Sequence, residues 1–347
     1  MNHKYTFLLC SCLLWVGVAV AGNPDRQGEA GANQLLINPW ARSAGLHSMN
    51  TSNVSGAEAM YLNVAGLSRI KKMQINLSHT RYIAEINMNA LSFGQRVGKG
   101  GAFGISLGSM DLGEFFSTTE DVPGGTGATF SPSYFNMGLS YSHLFVNKVS
   151  VGVTFKFVNE SISNVGARAM ALDAGVQYVT GENDNFKFGI SLRNVGTKMR
   201  YSGEGLSKPR PSPGQTFESP VTYYERSAEY ELPSQLNIGF SHDWLIGKTS
   251  RISLIGNFTS NAFSRDQVGG GLEFTLGQNF ALRAAYKAEL GASVGSAEAT
   301  LDNGLTGGFS ASLPMKKGSD TRLALDYSYR STAVFQGIHS LGLRLDL

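Results

Sequence analysis

Cysteine is nearly missing from this chain. Its two copies, Cys10 and Cys12, sit near the start, inside a run that reads as an export leader. Past residue 21 there is no thiol, which excludes disulfide staples, thiolate metal sites and a cysteine nucleophile. Charge is scarce as well: Asp, Glu, Lys and Arg make up 16% of the residues, against about a quarter in ordinary soluble domains. The net charge is +3, or +2 once Lys4 leaves with the leader, so there is no basic surplus of the kind that binds nucleic acid. Beyond the leader no apolar run reaches the roughly 18 residues of a membrane helix, and mean hydropathy is −0.10. Histidine is thin too. His47, His79, His143, His242 and His339 are scattered, with no second member at zinc-ligand or triad spacing. The chain reads as one with neither cofactor nor metal.

What the sequence has instead is glycine, 42 of them, and a two-residue rhythm. The last stretch, residues 336–347, sets the pattern: Leu341, Leu343, Leu345 and Leu347 fall on one face, Ser340, Gly342, Arg344 and Asp346 on the other. Alternation of this kind is a strand with one apolar and one polar side. It recurs through the chain. Val149, Val151, Val153, Phe155 and Phe157 oppose Ser150, Gly152, Thr154 and Lys156, and Leu323, Leu325, Tyr327 and Tyr329 form a later example. The segments number about fourteen, each close to the ten residues or so that an outer-membrane strand needs. The predicted fold is therefore all-β: a transmembrane antiparallel β-barrel of about 14 strands with a short N-terminal plug. Gly342, Leu345 and Leu347 also match the spacing of the C-terminal signal that hands bacterial barrels to their assembly machinery, although that signal usually ends in an aromatic residue.

Three regions follow. Residues 1–21 form a signal peptide, with Lys4 before an apolar core over 5–18 and Ala19-Val20-Ala21 as the cleavage site. A lipidated Cys12 is the other reading, but the apolar run before it is short. Residues 22–70 lack the two-residue period, and the stretches 41–49 and 55–61 read as short helical turns. They are expected to pack inside the barrel mouth. Residues 71–347 form the barrel. Tight turns are expected near 96–99, 147, 181–184, 247–249, 277–278 and 315–319, alternating with longer connections over 113–132, 199–231 and 290–302. Short turns belong to the periplasmic end and long loops to the outside, which puts both termini in the periplasm. The longest connection carries Pro209, Pro211, Pro213 and Pro220, with Pro233 at its exit, and the adjacent Tyr223 and Tyr224. Those two tyrosines are the candidate partner-binding surface.

Motifs of catalysis fail on context. Gly104-Ile105-Ser106-Leu107-Gly108 has the letters of a nucleophile elbow, but that motif needs a sharp strand-to-helix turn and this one lies in mid-strand. Gly98-Lys99-Gly100-Gly101 lacks Walker spacing and a following helix. Lys156, Asp173, Arg193, Glu273, Arg283, Asp326 and Arg344 fall on polar strand faces, where lumen charges pair with one another. No enzymatic activity is expected.

Several blocks are similar to a known family. Asn38-Pro39-Trp40-Ala41-Arg42-Ser43-Ala44-Gly45, the run from Ser55 to Leu67, Gly124-Gly125-Thr126-Gly127, Leu192-Arg193-Asn194-Val195-Gly196 and Leu325-Asp326-Tyr327 together resemble the PorV/PorQ family. Leu62 and Val64 stand where that family has Trp and Pro. The resemblance implies a fourteen-stranded outer-membrane barrel similar to the long-chain fatty-acid transporter fold, serving type IX secretion or attachment of cargo to the cell surface. The expected partners are then outer-membrane lipid and secretion-system proteins or secreted cargo. The alternative is a gated outer-membrane channel for hydrophobic small molecules, with Asn63, Ala65, Gly66 and Leu67 as the plug motif that forms its gate.

Overall fold

A computed structural model describes residues 22–146, 148–211, 220–247, 249–292, 300–301, 303–316, 320–332 and 335–347. The leader (1–21), Pro213, Asn147, and parts of the 290–302 and 315–319 connections lie outside the described residues. The alternating segments form fourteen strands: β1 (Met73–Arg81), β2 (Asn87–Val97), β3 (Gly101–Asp111), β4 (Ser133–Phe145), β5 (Val149–Ile162), β6 (Val165–Thr180), β7 (Phe186–Gly196), β8 (Gln235–Ile246), β9 (Ser250–Asn261), β10 (Gln267–Leu276), β11 (Phe280–Glu289), β12 (Gly304–Pro314), β13 (Arg322–Arg330) and β14 (Ile338–Asp346). Each pairs antiparallel with its neighbours, and β14 pairs with β1, with Leu343 opposite Leu77 and Leu345 opposite Ile75. The sheet is a closed barrel without an edge.

The two faces divide as the period requires. Along β5, Ser150, Gly152 and Thr154 point into the lumen, while Val151, Val153 and Phe155 point out. Phe155, Met170 and Leu282 are 64%, 68% and 60% exposed. Large apolar side chains bared all round a wall far exceed any patch a soluble protein tolerates, so this wall faces lipid. Aromatic rings flank one end: His242 meets Trp244 edge-on with centroids 4.6 Å apart, and His143 meets Phe145 at the same distance. Such rings sit at the membrane interface.

Connections at one end, over 98–100, 146–148, 181–185, 247–249, 277–279 and 315–321, are all short. The other end carries residues 112–132, 197–234 and 290–303, but also the five-residue link 82–86 and the two-residue link 163–164. Three short pairings stand outside the barrel: Phe115–Phe116 with Thr129–Phe130, Met199–Arg200 with Glu229–Tyr230, and Ser207–Pro211 with Pro220–Tyr224.

The residues before β1 contribute no barrel strand. They make 3-10 turns at Asn33–Leu36 and Val64–Arg69 and two helices of one turn, α1 (Ala41–Ala44) and α2 (Ala59–Leu62). Helices this short have no stability of their own. The barrel wall holds them: Ser78 and Thr80 donate to the Pro39 carbonyl, Ser142 to Ala65 at 2.9 Å, and Thr306 to Ala44 at 2.9 Å. Glycine explains how the segment fits. On the inner wall a Cβ at Gly152 would stand 2.9 Å from the Val64 carbonyl, and one at Gly189 would stand 2.7 Å from the Ser52 Cα. A single added methyl at either place meets backbone, not a side chain that can swing away.

Gly152→Leu is therefore expected to loosen the plug by about 1–3 kcal/mol through overpacking, while Gly124→Ala, which meets nothing within 4 Å, should be silent. Limited proteolysis of detergent-solubilised barrel reads this out. Equal cleavage of residues 22–70 in both variants would remove the claim that glycines make room for the plug.

Candidate functional site

The plug partitions the lumen into two chambers, and one of its turns is braced closely against the wall. Asn63 is 1% exposed and begins the 3-10 turn Val64–Arg69. Its Oδ1 accepts from the Ala65 amide at 3.2 Å, and its Nδ2 donates to the carbonyls of Thr51 (2.9 Å), Val176 (3.1 Å) and Ile190 (3.4 Å). One side chain thus caps the turn and ties it to β6 and β7. Gly66 lies against the Val54 carbonyl, where a Cβ has no room, and its own carbonyl accepts from Gly56 at 3.2 Å. Leu67 is fully buried with Ala57, Met60, Ile70 and Ala102. The plug motif, including Ala65, is thus a buried turn fixed to the wall, and it lines neither chamber.

A β-bulge supports the plug from the wall. Between β6 and β7 the register shifts at Leu172/Ala174, and Arg193 and Asn194 both turn inward, 3% and 0% exposed. Asn194 takes a left-handed conformation (φ 59°), which Asn tolerates better than most residues. Its amide donates to Asp173 at 2.7 Å and its side chain accepts from Lys156 at 2.9 Å. Lys156 also pairs with Asp173 at 2.5 Å. Arg193 reaches the plug, donating to the Leu35 carbonyl at 3.2 Å with its guanidinium 4.1 Å from the centre of the Tyr61 ring.

The chamber toward the short turns is polar, about 370 Å³, and lined by Arg42, Arg69, Lys187, Arg251, Arg283 and Arg344 with Glu273. Most of these cations have carboxylate partners. Arg42 meets Glu58 at 2.6 Å, Lys187 meets Asp243 at 2.6 Å, Arg283 meets Glu273 at 2.6 Å, and Arg344 lies 3.5 Å from Asp346 and 4.0 Å from Asp326. This is the mutual pairing expected of lumen charges.

The chamber toward the long loops is of another kind. It is about 880 Å³, within the usual range for small-molecule sites. Its lining includes Leu36, Ile37, Tyr82, Met110, Tyr134, Tyr201, Tyr230, Pro233, Phe263 and Leu301, with Gln34, Glu160 and Arg330 among its polar groups. Glu160 is 3% exposed and ties three elements together. Gln34 of the plug donates to its Oε1 at 2.9 Å; Tyr201 and Tyr230 of the 197–234 connection donate to its Oε2 at 2.6 and 2.8 Å. Burial first, and then the hydrogen bond to this carboxylate, hold both phenols above the ordinary tyrosine range.

The residues singled out from sequence are not gathered here. Asn63, Ala65, Gly66 and Leu67 form the braced turn, outside the lining of either chamber. Tyr223 and Tyr224 lie on the outlying strand Pro220–Tyr224, 42% and 56% exposed, away from the chamber lining. Gly342 and Leu345 lie in the closing strand, and the Leu347 amide donates to Met73 at 2.9 Å, sealing the barrel. Ser106 sits in the middle of β3, opposite Ser92 and Gly138. Sequence reading missed Glu160, Tyr134, Tyr201 and Tyr230. Glu160 was within reach, since it has the parity of Lys156 on the same strand.

Neither the known family profiles nor the curated proteins match this chain. Solved structures do. The toluene transporter TodX of Pseudomonas putida is similar with a TM-score of 0.54 and 14% identity, over 89% of this chain and 97% of that one. The monoaromatic hydrocarbon channel CymD gives 0.52 and 14%, with the same two shares. A FadL homologue of Pseudomonas aeruginosa gives 0.50 and 11%, over 88% and 98%. At these identities the likeness is one of fold. It overturns the PorV/PorQ resemblance, and with it the support for secretion-system partners or cargo. The blocks behind that resemblance have packing duties: Asn63 to Leu67 form a buried turn of the plug, and Arg193-Asn194 the bulge from which Arg193 reaches the plug at Leu35 and Tyr61. A barrel that holds a plug needs such residues whatever it carries.

The two raised phenols give a pH test. The fold favours their protonated form, so this contribution is fully present below the unfolded tyrosine value of about 10 and is lost as pH rises toward the folded values. Spectrophotometric titration near 295 nm should show two late phenols that vanish in Tyr201→Phe/Tyr230→Phe. If that variant instead loses phenols titrating near 10, the carboxylate anchor is wrong.

Proposed function

We propose that this chain is a gated outer-membrane channel for hydrophobic small molecules, with residues 22–70 as the gate. The observation that carries the proposal is the chamber on the loop side of the plug: about 880 Å³, walled largely by aromatic and aliphatic side chains, and separated from a charged chamber by the plug. An apolar solute gains from leaving water for the first chamber and gains nothing from the second. It therefore accumulates against the partition, and passage requires the partition to move. The similarity in fold to TodX and CymD supports the same reading. No step in it involves bond chemistry, so we read the protein as a non-enzyme. We read the loop end as facing outward and the C-terminus as periplasmic, because the closing strand finishes at the end where the short turns cluster. The first described residues lie at the loop end, where Ala30 bridges to Glu231 and Arg26 covers Phe263, so the expectation of a periplasmic N-terminus loses its support.

Uptake of a hydrophobic probe into cells or proteoliposomes should depend on the plug and little on the outlying hairpin. Deleting residues 31–68 should raise ionic conductance and abolish selectivity between hydrophobic and polar solutes. Replacing 207–224 by a tight turn should lower uptake less than about threefold, since surface loops add little to the barrel. The reading fails if the hairpin deletion alone stops uptake and the plug deletion changes nothing.

Orientation is tested separately, using the absence of native cysteines beyond residue 21. Glu225→Cys should react with an impermeant thiol reagent on intact cells, and Lys99→Cys should react only after lysis. Reversed labelling would invert the topology.

A further inference from the structure

The loop-side chamber contains a group that a purely hydrocarbon ligand does not need. Glu160 is 3% exposed and lines the cavity. Among the described residues no Lys, Arg or His forms an ion pair with it: its partners are the neutral donors Gln34, Tyr201 and Tyr230. Three other lumen carboxylates are treated differently. Asp173 has Lys156, Asp243 has Lys187 and Glu273 has Arg283, each within 2.6 Å. A buried carboxylate is costly unless paired. Here three donors hold both oxygens in acceptor geometry while the balancing charge is missing.

We propose that Glu160 is the recognition site for an organic ammonium group, and that the chamber takes small hydrophobic molecules carrying one. The inference rests on the channel reading above and narrows its substrate class. Two features of the lining fit such a ligand. Tyr134 lies opposite Glu160 across the β4–β5 pair, and Tyr201 and Tyr230 pack with ring centres 5.8 Å apart, so aromatic rings flank the carboxylate. Rings beside an anion attract a cation through their quadrupoles as well as by charge. A carboxylate has about four lone-pair positions, and three are taken. The space that remains suits a cation needing few hydrogen bonds, such as a quaternary or bulky tertiary ammonium, better than a primary amine needing three acceptors. The apolar remainder of the ligand then lies along Leu36, Ile37, Phe263 and Leu301. Arg330 also borders the cavity, and its charge disfavours a second cationic group on the same ligand.

The test uses two probes of one shape. Benzyltrimethylammonium and neopentylbenzene differ in a charged nitrogen against a neutral carbon. Binding to the full chain in lipid nanodiscs is measured by displacement of a nonpolar fluorescent probe, with empty nanodiscs subtracted. The cation should bind about tenfold or more tightly than its isostere, and Glu160→Gln should erase that preference. Equal binding of the two probes by the unaltered protein overturns the proposal without any variant, so a misfolded Glu160→Gln cannot rescue it. An intact preference in folded Glu160→Gln overturns it too. If neopentylbenzene binds and the cation does not, only the ammonium site is wrong. If neither binds, the channel reading falls with it.

Discussion

Everything in this structure depends on the wall having two solvents. Lipid outside demands apolar side chains at every second position, and the strict period of two then delivers the remaining positions to the lumen. Those inner positions are free to be small, polar or charged, and they are all three. Gly152 and Gly189 let backbone approach, Ser78 and Ser142 supply hydroxyls, and Lys156 with Asp173 supplies charge. The plug has almost no regular structure of its own, so its backbone groups must find partners. A polar wall provides them. An apolar lumen of the same width would leave those carbonyls unsatisfied and the plug without a place.

The same wall makes the two chambers unlike. Below the partition the cations are matched by carboxylates in a tight network, which fixes geometry more than it adds stability. Above it the wall is capped by residues brought from elsewhere: Tyr201 and Tyr230 from the long connection, Gln34 from the plug. Glu160 is where these meet the barrel. A ligand that engages this carboxylate touches wall, plug and cap at once. On the channel reading proposed above, occupancy of the chamber and position of the plug are therefore coupled through shared hydrogen bonds, and any differential affinity between plug positions shifts their balance.

How much of this was legible before the structure follows from which constraints are local. The strands were, because alternation is local and lipid enforces it at every turn; fourteen were expected and fourteen close the barrel. Boundaries moved where a turn overrode the period. The second strand begins only at Asn87, since Ala84 and Glu85 before it take positive φ of 49° and 65°. The expected helix over 41–49 stops at Ala44, and His47 and Ser48 also adopt left-handed conformations. The plug motif lies in a buried 3-10 turn, yet its family likeness misled. Asn63, Gly66 and Asn194 are placed by the mechanics of plugging a barrel, so they carry no information about cargo. The chamber was not legible. It assembles Gln34, Glu160, Tyr201 and Tyr230 across nearly two hundred positions of sequence, and no local pattern marks residues that meet only in the closed fold.

The exposed hairpin shows the same limit from the other side. Tyr223 and Tyr224 attracted notice because they are adjacent, aromatic and in a proline-rich loop. In the structure they belong to a strand pairing that stands clear of the barrel, with Tyr224 accepting from the Gly203 amide at 3.2 Å and Tyr223 opposite Lys208. Tyr201 and Tyr230 lie nearer the ends of the same connection, where the chain leaves and re-enters the wall. A loop's reach into the lumen is set by distance along the chain from its anchoring strands. The tip of a long loop is free to fold on itself, whereas its roots are bound to the rim. Here it is the roots of the long loop, at Tyr201 and Tyr230, that line the chamber.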